Sequence, residues 1–125
     1  MEKLTIQEEQ AMVIIWRLGH CSVKEVLAQY PEPQPPYTTL ASVFKNLESK
    51  GYVKGTHVGK TYFYDPVVTQ AEYKRTRVAG FVKDYFSDSF KEMVTFFARD
   101  QRLSPEDLQE IIKEIERQPL ELLNP

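Results

Sequence analysis

Residues 37–64 have the sequence Tyr37-Thr-Thr-Leu-Ala-Ser-Val-Phe-Lys-Asn-Leu-Glu-Ser-Lys-Gly-Tyr-Val-Lys-Gly-Thr-His-Val-Gly-Lys-Thr-Tyr-Phe-Tyr64. Four apolar residues in the first half recur at helical spacing, and they are Leu40, Val43, Phe44 and Leu47. This spacing puts them on one stripe of a helix, and the stripe must face a core. Gly51 is the expected end of the helix, because glycine adopts the left-handed conformation of a helix C-terminus at little cost.

Strand composition follows directly after this helix. Tyr52 to His57 and Thr61 to Tyr64 are rich in aromatic and β-branched residues around a Val58-Gly59 turn, which predicts a two-stranded hairpin. The run Gly55 to Thr61 resembles a nucleotide phosphate loop. That loop needs four residues between its glycines and a helix after them, whereas here there are three residues and a strand. A nucleotide site is therefore not expected.

The face of the predicted helix opposite the apolar stripe is polar but carries little charge. Its side chains are short hydroxyls, one amide and one ammonium, on Thr38, Thr39, Ser42, Lys45, Asn46 and Ser49. Hydroxyl and amide groups hydrogen-bond to base edges and phosphates, and a lysine is attracted to the phosphate backbone. The pattern predicts a DNA recognition helix with the hairpin as its wing. The alternative is a polar surface helix without a ligand.

Two further helices are predicted in the first third of the chain. Thr5-Ile-Gln-Glu8 and Ser22-Val-Lys-Glu25 both have the spacing of a capping box, which starts a helix. Gly19 ends the first helix, and the proline-rich segment Pro31–Pro36 cannot be helical. Three helices followed by a hairpin is the order of a winged helix-turn-helix, which we predict for residues 1–68.

Residues 69–125 are predicted to form a helical dimerisation domain. Helix starts are expected at Thr69 and Ser104, and five of the seven phenylalanines fall between residues 81 and 97. A segment of under ~60 residues buries too little of its own surface to be stable alone, and a second copy would cover the remainder. The predicted dimer contacts are Val78, Phe81, Val82, Tyr85, Phe86, Phe90, Met93, Val94, Phe97, Leu108, Ile111, Ile112 and Ile115. The alternative is that these helices fold back onto the N-terminal domain of the same chain.

The charge of the chain is unevenly distributed. The net charge is −2, yet residues 37–64 carry Lys45, Lys50, Lys54 and Lys60 against Glu48 alone, a local balance of +3. A local basic patch matters more for DNA binding than the global sum. The 125 residues contain no apolar run that could span a bilayer and no signal peptide. We therefore expect a cytoplasmic protein without a membrane partner.

The single cysteine, Cys21, excludes an internal disulfide and a multi-cysteine metal site. Neither a metal nor another cofactor is expected. His20 lies beside Cys21 with Glu25 nearby, but adjacent side chains rarely form a nucleophile and base pair, and His57 is the only other histidine. We therefore expect that the protein is not an enzyme.

Several short motifs occur in a characteristic order. They are Leu4-Thr5, Glu9 to Trp16, Gly19, Ser22-Val-Lys-Glu-Val-Leu27, Tyr37-Thr-Thr-Leu40, Leu47-Glu-Ser-Lys-Gly-Tyr52 and Gly59-Lys-Thr-Tyr62. This order resembles the penicillinase and methicillin-resistance repressor family (the BlaI/MecI type), closely from residue 4 to about 75 and loosely thereafter. The resemblance implies a homodimeric winged-helix repressor on a palindromic operator, with intertwined C-terminal helices. It assigns the recognition helix to Tyr37–Lys50 and the wing to Tyr52–Tyr64.

The same resemblance suggests a sensor protease as a further partner. In the best-known members of the family, a membrane sensor protease triggers cleavage at an Asn-Phe bond in the C-terminal domain. The corresponding position here is Phe96-Phe97, where the asparagine is missing. The missing asparagine argues against cleavage at this bond.

Nine residues are the predicted DNA contacts. We expect base-edge contacts from Thr38, Thr39, Ser42 and Asn46, phosphate contacts from Lys24, Lys45, Lys54 and Lys60, and a further contact from Tyr37 at the start of the helix. In a dimer, two recognition helices about one DNA turn apart would enter successive major grooves. The competing function is a winged-helix adaptor that binds protein rather than specific DNA, and the basic balance of residues 37–64 argues against it.

Overall fold

The computed structural model describes residues 1–118 and divides the chain into two compact units, Met1–Arg77 and Val78–Pro125. The elements in chain order are α1 Ile6–Leu18, β1 Cys21–Ser22, α2 Val23–Leu27, α3 Tyr37–Ser49, β2 Val53–Val58, β3 Thr61–Pro66, α4 Gln70–Phe86, α5 Phe90–Arg99 and α6 Pro105–Glu116. The described residues are thus mainly helical with one small antiparallel sheet, which confirms the predicted fold class.

Both N-terminal helices begin at the capping boxes that the sequence predicts. The Thr5 hydroxyl accepts the Glu8 N–H at 3.2 Å, and the Glu8 carboxylate accepts the Thr5 N–H at 2.8 Å. Ser22 and Glu25 repeat this exchange at the start of α2, at 3.2 and 2.9 Å. The four terminal N–H groups of a helix lack intrahelical partners, so these side chains fix where each helix starts.

The recognition helix predicted over Tyr37–Lys50 is α3, and its end is closed by backbone hydrogen bonds. Gly51 has φ +83°, and its N–H donates to the Glu48 carbonyl at 3.0 Å. The next N–H, of Tyr52, donates to the Leu47 carbonyl at 2.9 Å. This pattern is a Schellman motif, which favours glycine at the left-handed position. The predicted apolar stripe of α3 is buried, as Leu40, Val43, Phe44 and Leu47.

The small sheet has three strands in the order β1-β3-β2, one more than the sequence predicts. The extra strand β1 is only two residues long and pairs Cys21 with Tyr64, too short to produce an alternating pattern. Val58 pairs with Thr61, so the hairpin turn is Gly59-Lys60 and the predicted Val58-Gly59 turn is wrong by one residue. A two-residue loop of this kind favours glycine at its first position, and Gly59 has φ +64° there.

The first unit has one core, to which the start of α4 is attached. Tyr52 is fully buried, and Tyr73 on the first turn of α4 is 6% exposed. The indole N–H of Trp16 donates to the Val68 carbonyl at 2.8 Å, and the Tyr73 hydroxyl donates to the Glu9 carboxylate at 2.5 Å. Burial and this hydrogen bond raise the pKa of Tyr73 to about 12. The segment after the hairpin is thereby held against α1.

The second unit contains the rest of α4, together with α5 and α6. Ser89 and Ser104 cap the last two helices, accepting backbone N–H groups at 3.1 and 3.0 Å. In its described part only Val82 is a fully buried apolar side chain. None of the helices in residues 1–118 is long and apolar enough to cross a membrane.

Candidate nucleic-acid interface

We call the hairpin of β2 and β3 the wing. A groove of about 580 Å³ lies between α2, α3 and the wing. Three parts of the chain line this helix–wing groove. The N-cap and first turn of α2 contribute Ser22, Val23 and Lys24, α3 contributes Tyr37, Ala41, Lys45 and Glu48, and the wing contributes Lys60, Thr61, Tyr62 and Tyr64. The groove therefore joins the three elements that a winged helix uses to approach DNA.

The side of α3 that lines the groove follows from the spacing of its residues. Tyr37, Ala41, Lys45 and Glu48 recur every three or four residues, so they share one stripe beside the buried one. The predicted base contacts lie further round the helix, and Thr38, Thr39, Ser42 and Asn46 are all exposed. The Ser42 hydroxyl donates to the Thr38 carbonyl at 3.1 Å and can still accept a hydrogen bond.

Three of the four predicted phosphate lysines meet at the groove. Lys24, Lys45 and Lys60 come from three different elements, and within residues 1–118 none of them forms a salt bridge. Lys54 does not line the groove. It pairs with Asp65 across the two strands. The groove residue Tyr62 pairs with His57, and His57 is two positions from Gly55 on β2, so these three residues share the groove face of the sheet. Lys54 therefore lies on the opposite, outer face of the wing.

Lys50 does not belong to the basic patch, although the sequence counts it there. Its Nζ lies 2.6 Å from Oε1 of Glu8 and 3.2 Å from the Lys3 carbonyl. The Glu8 side chain is 5% exposed. Burial alone would raise the pKa of Glu8, but the hydrogen bonds from Lys50 and Thr5 outweigh it and hold the pKa below its usual value. Lys50 is thus an internal partner of α1, not a free cation for DNA.

Two groove residues have roles that the sequence does not suggest. Oε2 of Glu48 accepts the backbone N–H of Gly55 at 2.8 Å, so the end of α3 is bonded to β2. The ring of Tyr62 covers Gly55, since a Cβ built there would lie 2.1 Å from Cε1 of Tyr62. A side-chain bond to a backbone N–H leaves no trace in a sequence pattern, and neither contact was predicted.

His20 and Cys21 do not form a nucleophile and base pair. The His20 ring stacks on Phe63 at a centroid distance of 4.8 Å, and its Nδ1 lies 2.9 Å from Oδ1 of Asp65. Cys21 is buried, and burial together with the charges of Glu25 and Asp65 raises the pKa of its thiol to about 11. A thiol of this kind remains protonated at neutral pH and is a poor nucleophile.

Two comparisons with known proteins point to the same family. A family model described as Penicillinase repressor matches residues 4–117. The penicillinase repressor of Bacillus licheniformis is 21% identical to this chain over 110 residues, which cover 87% of this chain and 86% of the relative. The family match spans every residue of the helix–wing groove and the six helices of the described residues, and the chain belongs to the penicillinase repressor family.

Proposed function

We propose that this chain is a homodimeric repressor that binds a palindromic DNA operator through α3 and the wing. Family membership supports the coarser part of this statement, a DNA-binding transcriptional repressor. The observation that carries the proposal is the set of three lysines from three elements, Lys24, Lys45 and Lys60, around one groove beside a polar helix face. A repressor of this kind acts by occupying DNA, so no bond chemistry is required of the chain.

The exposed face of α3 is suited to a major groove. The helix has 13 residues, and its outward side chains Thr38, Thr39, Ser42 and Asn46 are short, so the backbone can approach base edges closely. Their hydroxyl and amide groups can donate and accept hydrogen bonds. We assign these four residues to base or near-base contacts, and Tyr37 to the entrance of the helix–wing groove.

The lysines around the groove are assigned to phosphates. An ammonium near a phosphate releases a counterion, which supplies affinity independent of sequence. Lys24, Lys45 and Lys60 surround one groove, so we assign them to phosphates along its edges. Lys54 is on the outer face of the wing, so we do not assign it to the phosphates at this groove.

Exposed apolar surface in the second unit supports the homodimer. Up to residue 118, nine large apolar side chains of this unit are exposed, namely Val78, Phe81, Tyr85, Phe90, Val94, Phe96, Ile111, Ile112 and Ile115. Monomeric proteins rarely leave an apolar surface of this extent in water. Phe86, Met93, Phe97 and Leu108 are half-buried. Val82 is already buried within the single chain, so we omit it from the proposed interface.

A two-fold dimer would match the proposed palindrome, because both have the same two-fold symmetry. In such a dimer the same surface of each copy contacts the other, and the two copies of α3 face equivalent half-sites. A sensor protease acting at Phe96-Phe97 is not part of the proposal. That bond lies within α5, and a protease would have to unwind the helix to reach it.

The proposal is tested by fluorescence-anisotropy titration on DNA from upstream of the gene, beside a scrambled duplex and over a range of salt concentrations. The triple variant Thr39→Ala/Lys45→Ala/Asn46→Ala should lose the preference for the upstream DNA. Lys74→Ala, an exposed lysine on α4 that does not line the groove, is the matched control and should bind like the unaltered chain. If neither upstream DNA nor a random-sequence selection yields a preferred duplex, the adaptor function should replace this proposal.

A further inference from the structure

We infer that Glu48 is a positioning residue that holds the wing against α3 through the backbone N–H of Gly55. The inference rests on the proposed function, because it explains how two DNA-contacting elements keep a fixed geometry. Glu48 is on the last turn of α3 and Gly55 is on β2, and the bond between Oε2 and the N–H is 2.8 Å long. It links the recognition helix directly to the wing.

The N–H of Gly55 needs such a partner. β2 is at the edge of the sheet, whose order is β1-β3-β2. An edge strand has N–H groups without a strand partner, and Gly55 is half-buried. A shielded N–H without an acceptor is unfavourable, and an ionised carboxylate is a strong acceptor. Glu48 therefore removes an unsatisfied donor and fixes the strand at the same time.

The Tyr62 ring constrains the same strand residue from another direction. It occupies the space that a side chain at Gly55 would fill, with Cε1 2.1 Å from the position of a Cβ. Its centroid is 4.5 Å from that of His57 and 5.1 Å from that of Tyr64. Tyr62 and Glu48 both line the groove, so the contacts at Gly55 set the distance between the groove's two walls.

The charge of Glu48 argues that its role is not contact with DNA. Among residues 1–118 it is the only acid lining the helix–wing groove, which also contains Lys24, Lys45 and Lys60. A carboxylate facing phosphates weakens binding through repulsion. Its benefit must then come from the hydrogen bond to Gly55, which an uncharged acceptor of the same length would also make.

Two substitutions separate the charge from the reach of the side chain. Glu48→Gln keeps an acceptor at the same distance and removes the charge. Glu48→Asp keeps the charge and is one methylene too short to reach Gly55. The probe is a duplex selected by the unaltered full-length chain from a random-sequence library, and the readout is its affinity relative to a scrambled duplex of equal length and base composition.

We expect Glu48→Gln to bind both duplexes more tightly by a similar factor, with the affinity ratio unchanged. We expect Glu48→Asp to lower the ratio about tenfold, because the wing loses its fixed position. Hydrogen exchange at the Gly55 amide, followed by NMR, should be faster in Glu48→Asp and unchanged in Glu48→Gln. Glu72→Asp, an exposed glutamate on α4 outside the groove, is the control for shortening and should leave both readouts unchanged.

The inference is overturned if Glu48→Asp keeps both the ratio and the Gly55 protection, or if Glu48→Gln behaves like Glu48→Asp. In the latter case an uncharged acceptor of full length would not replace the carboxylate, contrary to the role assigned to the hydrogen bond. If Glu48→Asp does not fold, the test rests on hydrogen exchange at the Gly55 amide in Glu48→Gln. Loss of protection there would contradict the positioning role of Glu48. Failure of the unaltered chain to select any duplex would overturn the proposed function instead.

Discussion

Lys60 and Lys54 lie on one hairpin but on different surfaces, so their substitutions should have different effects. Lys60 lines the helix–wing groove, whereas Lys54 pairs with Asp65 on the outer face of the wing. We expect Lys60→Ala to weaken binding to every duplex and to lower the slope of log K against log salt by about one unit. Lys54→Ala should change the slope less. Equal slopes for the two variants would mean that both faces of the wing contact DNA.

The pair of Lys50 and Glu8 should make stability depend on pH. Nζ and Oε1 are 2.6 Å apart, and the pKa of Glu8 is held below its ordinary value. A depressed folded-state pKa stabilises the fold above the unfolded-state pKa, and this contribution is lost as the pH falls through the folded-state value. Lys50→Ala would leave a buried carboxylate unpaired and should cost about 2 kcal/mol at pH 7.

This cost can be measured by urea unfolding at pH 7 and in steps below pH 4.5. Lys45→Ala removes an exposed lysine from α3, the helix that Lys50 follows, and is the matched control, with stability close to that of the unaltered chain. In Lys50→Ala the loss of stability over the acid range should be smaller than in the control. Equal acid profiles would show that the pair contributes nothing to the fold.

Glu8 and Lys50 also show what residue patterns can reveal. The capping role of Glu8 was predictable because its partner Thr5 is three positions away, and that spacing recurs in helices. Its pairing with Lys50 joins residues 42 positions apart in the chain. No local sequence pattern indicates such a distant partner, so Lys50 was counted as a free basic residue.

Among the elements, α4 offers the simplest test of helix propensity. Gly80 lies inside this helix, and a Cβ there would meet nothing within 4 Å. Helical spacing puts Gly80 on the side opposite Val78, Phe81 and Tyr85, away from the proposed interface. We expect Gly80→Ala to stabilise the chain by about 0.5–1 kcal/mol, because alanine loses less entropy in a helix. A lower melting temperature by circular dichroism would show that another surface packs against this position.

Elements with strong local signals were predictable from the sequence. Capping boxes, the apolar stripe of α3 and the glycine after it all act within a few residues, and each lies where it was predicted. The turn of the wing was displaced by one residue, because Gly59 fits either position of a two-residue loop until the strand register is known. Strand β1 was missed because its only partner, β3, is some 40 residues further along the chain.

At the scale of the whole molecule, the compact units divide later than the end of the hairpin. The sequence suggested a boundary after residue 68, where strand composition gives way to a helix start. The first unit extends to Arg77, because Tyr73 on α4 packs beside Trp16 and bonds to Glu9. The contacts of Tyr73 thus place the first turns of α4 in the unit that contains α3. No local sequence pattern indicates such long-range contacts.

The proposed dimer is the assembly on which binding to a palindrome would depend, and substitutions on α6 should break it without altering the fold of one chain. Ile112 and Ile115 are 53% and 51% exposed on α6, so a polar residue at either position should leave the single chain folded. We expect Ile112→Glu/Ile115→Glu to sediment as a monomer with unchanged far-UV circular dichroism. Glu110→Gln, an exposed residue on the same helix, is the control and should remain a dimer.

Loss of the dimer should weaken binding to a duplex carrying both half-sites by about 100-fold or more, because two linked half-sites bind with a high effective concentration. Binding to a single half-site should change little, since α3 and the wing are untouched. If the double variant sediments like the unaltered chain and both are dimers, the interface lies elsewhere on the second unit. If the unaltered chain is itself a monomer at micromolar concentration, the exposed apolar residues of the second unit do not form the proposed interface. A palindromic operator would then have to be bound by two independent copies, with no advantage in affinity over two separate half-sites.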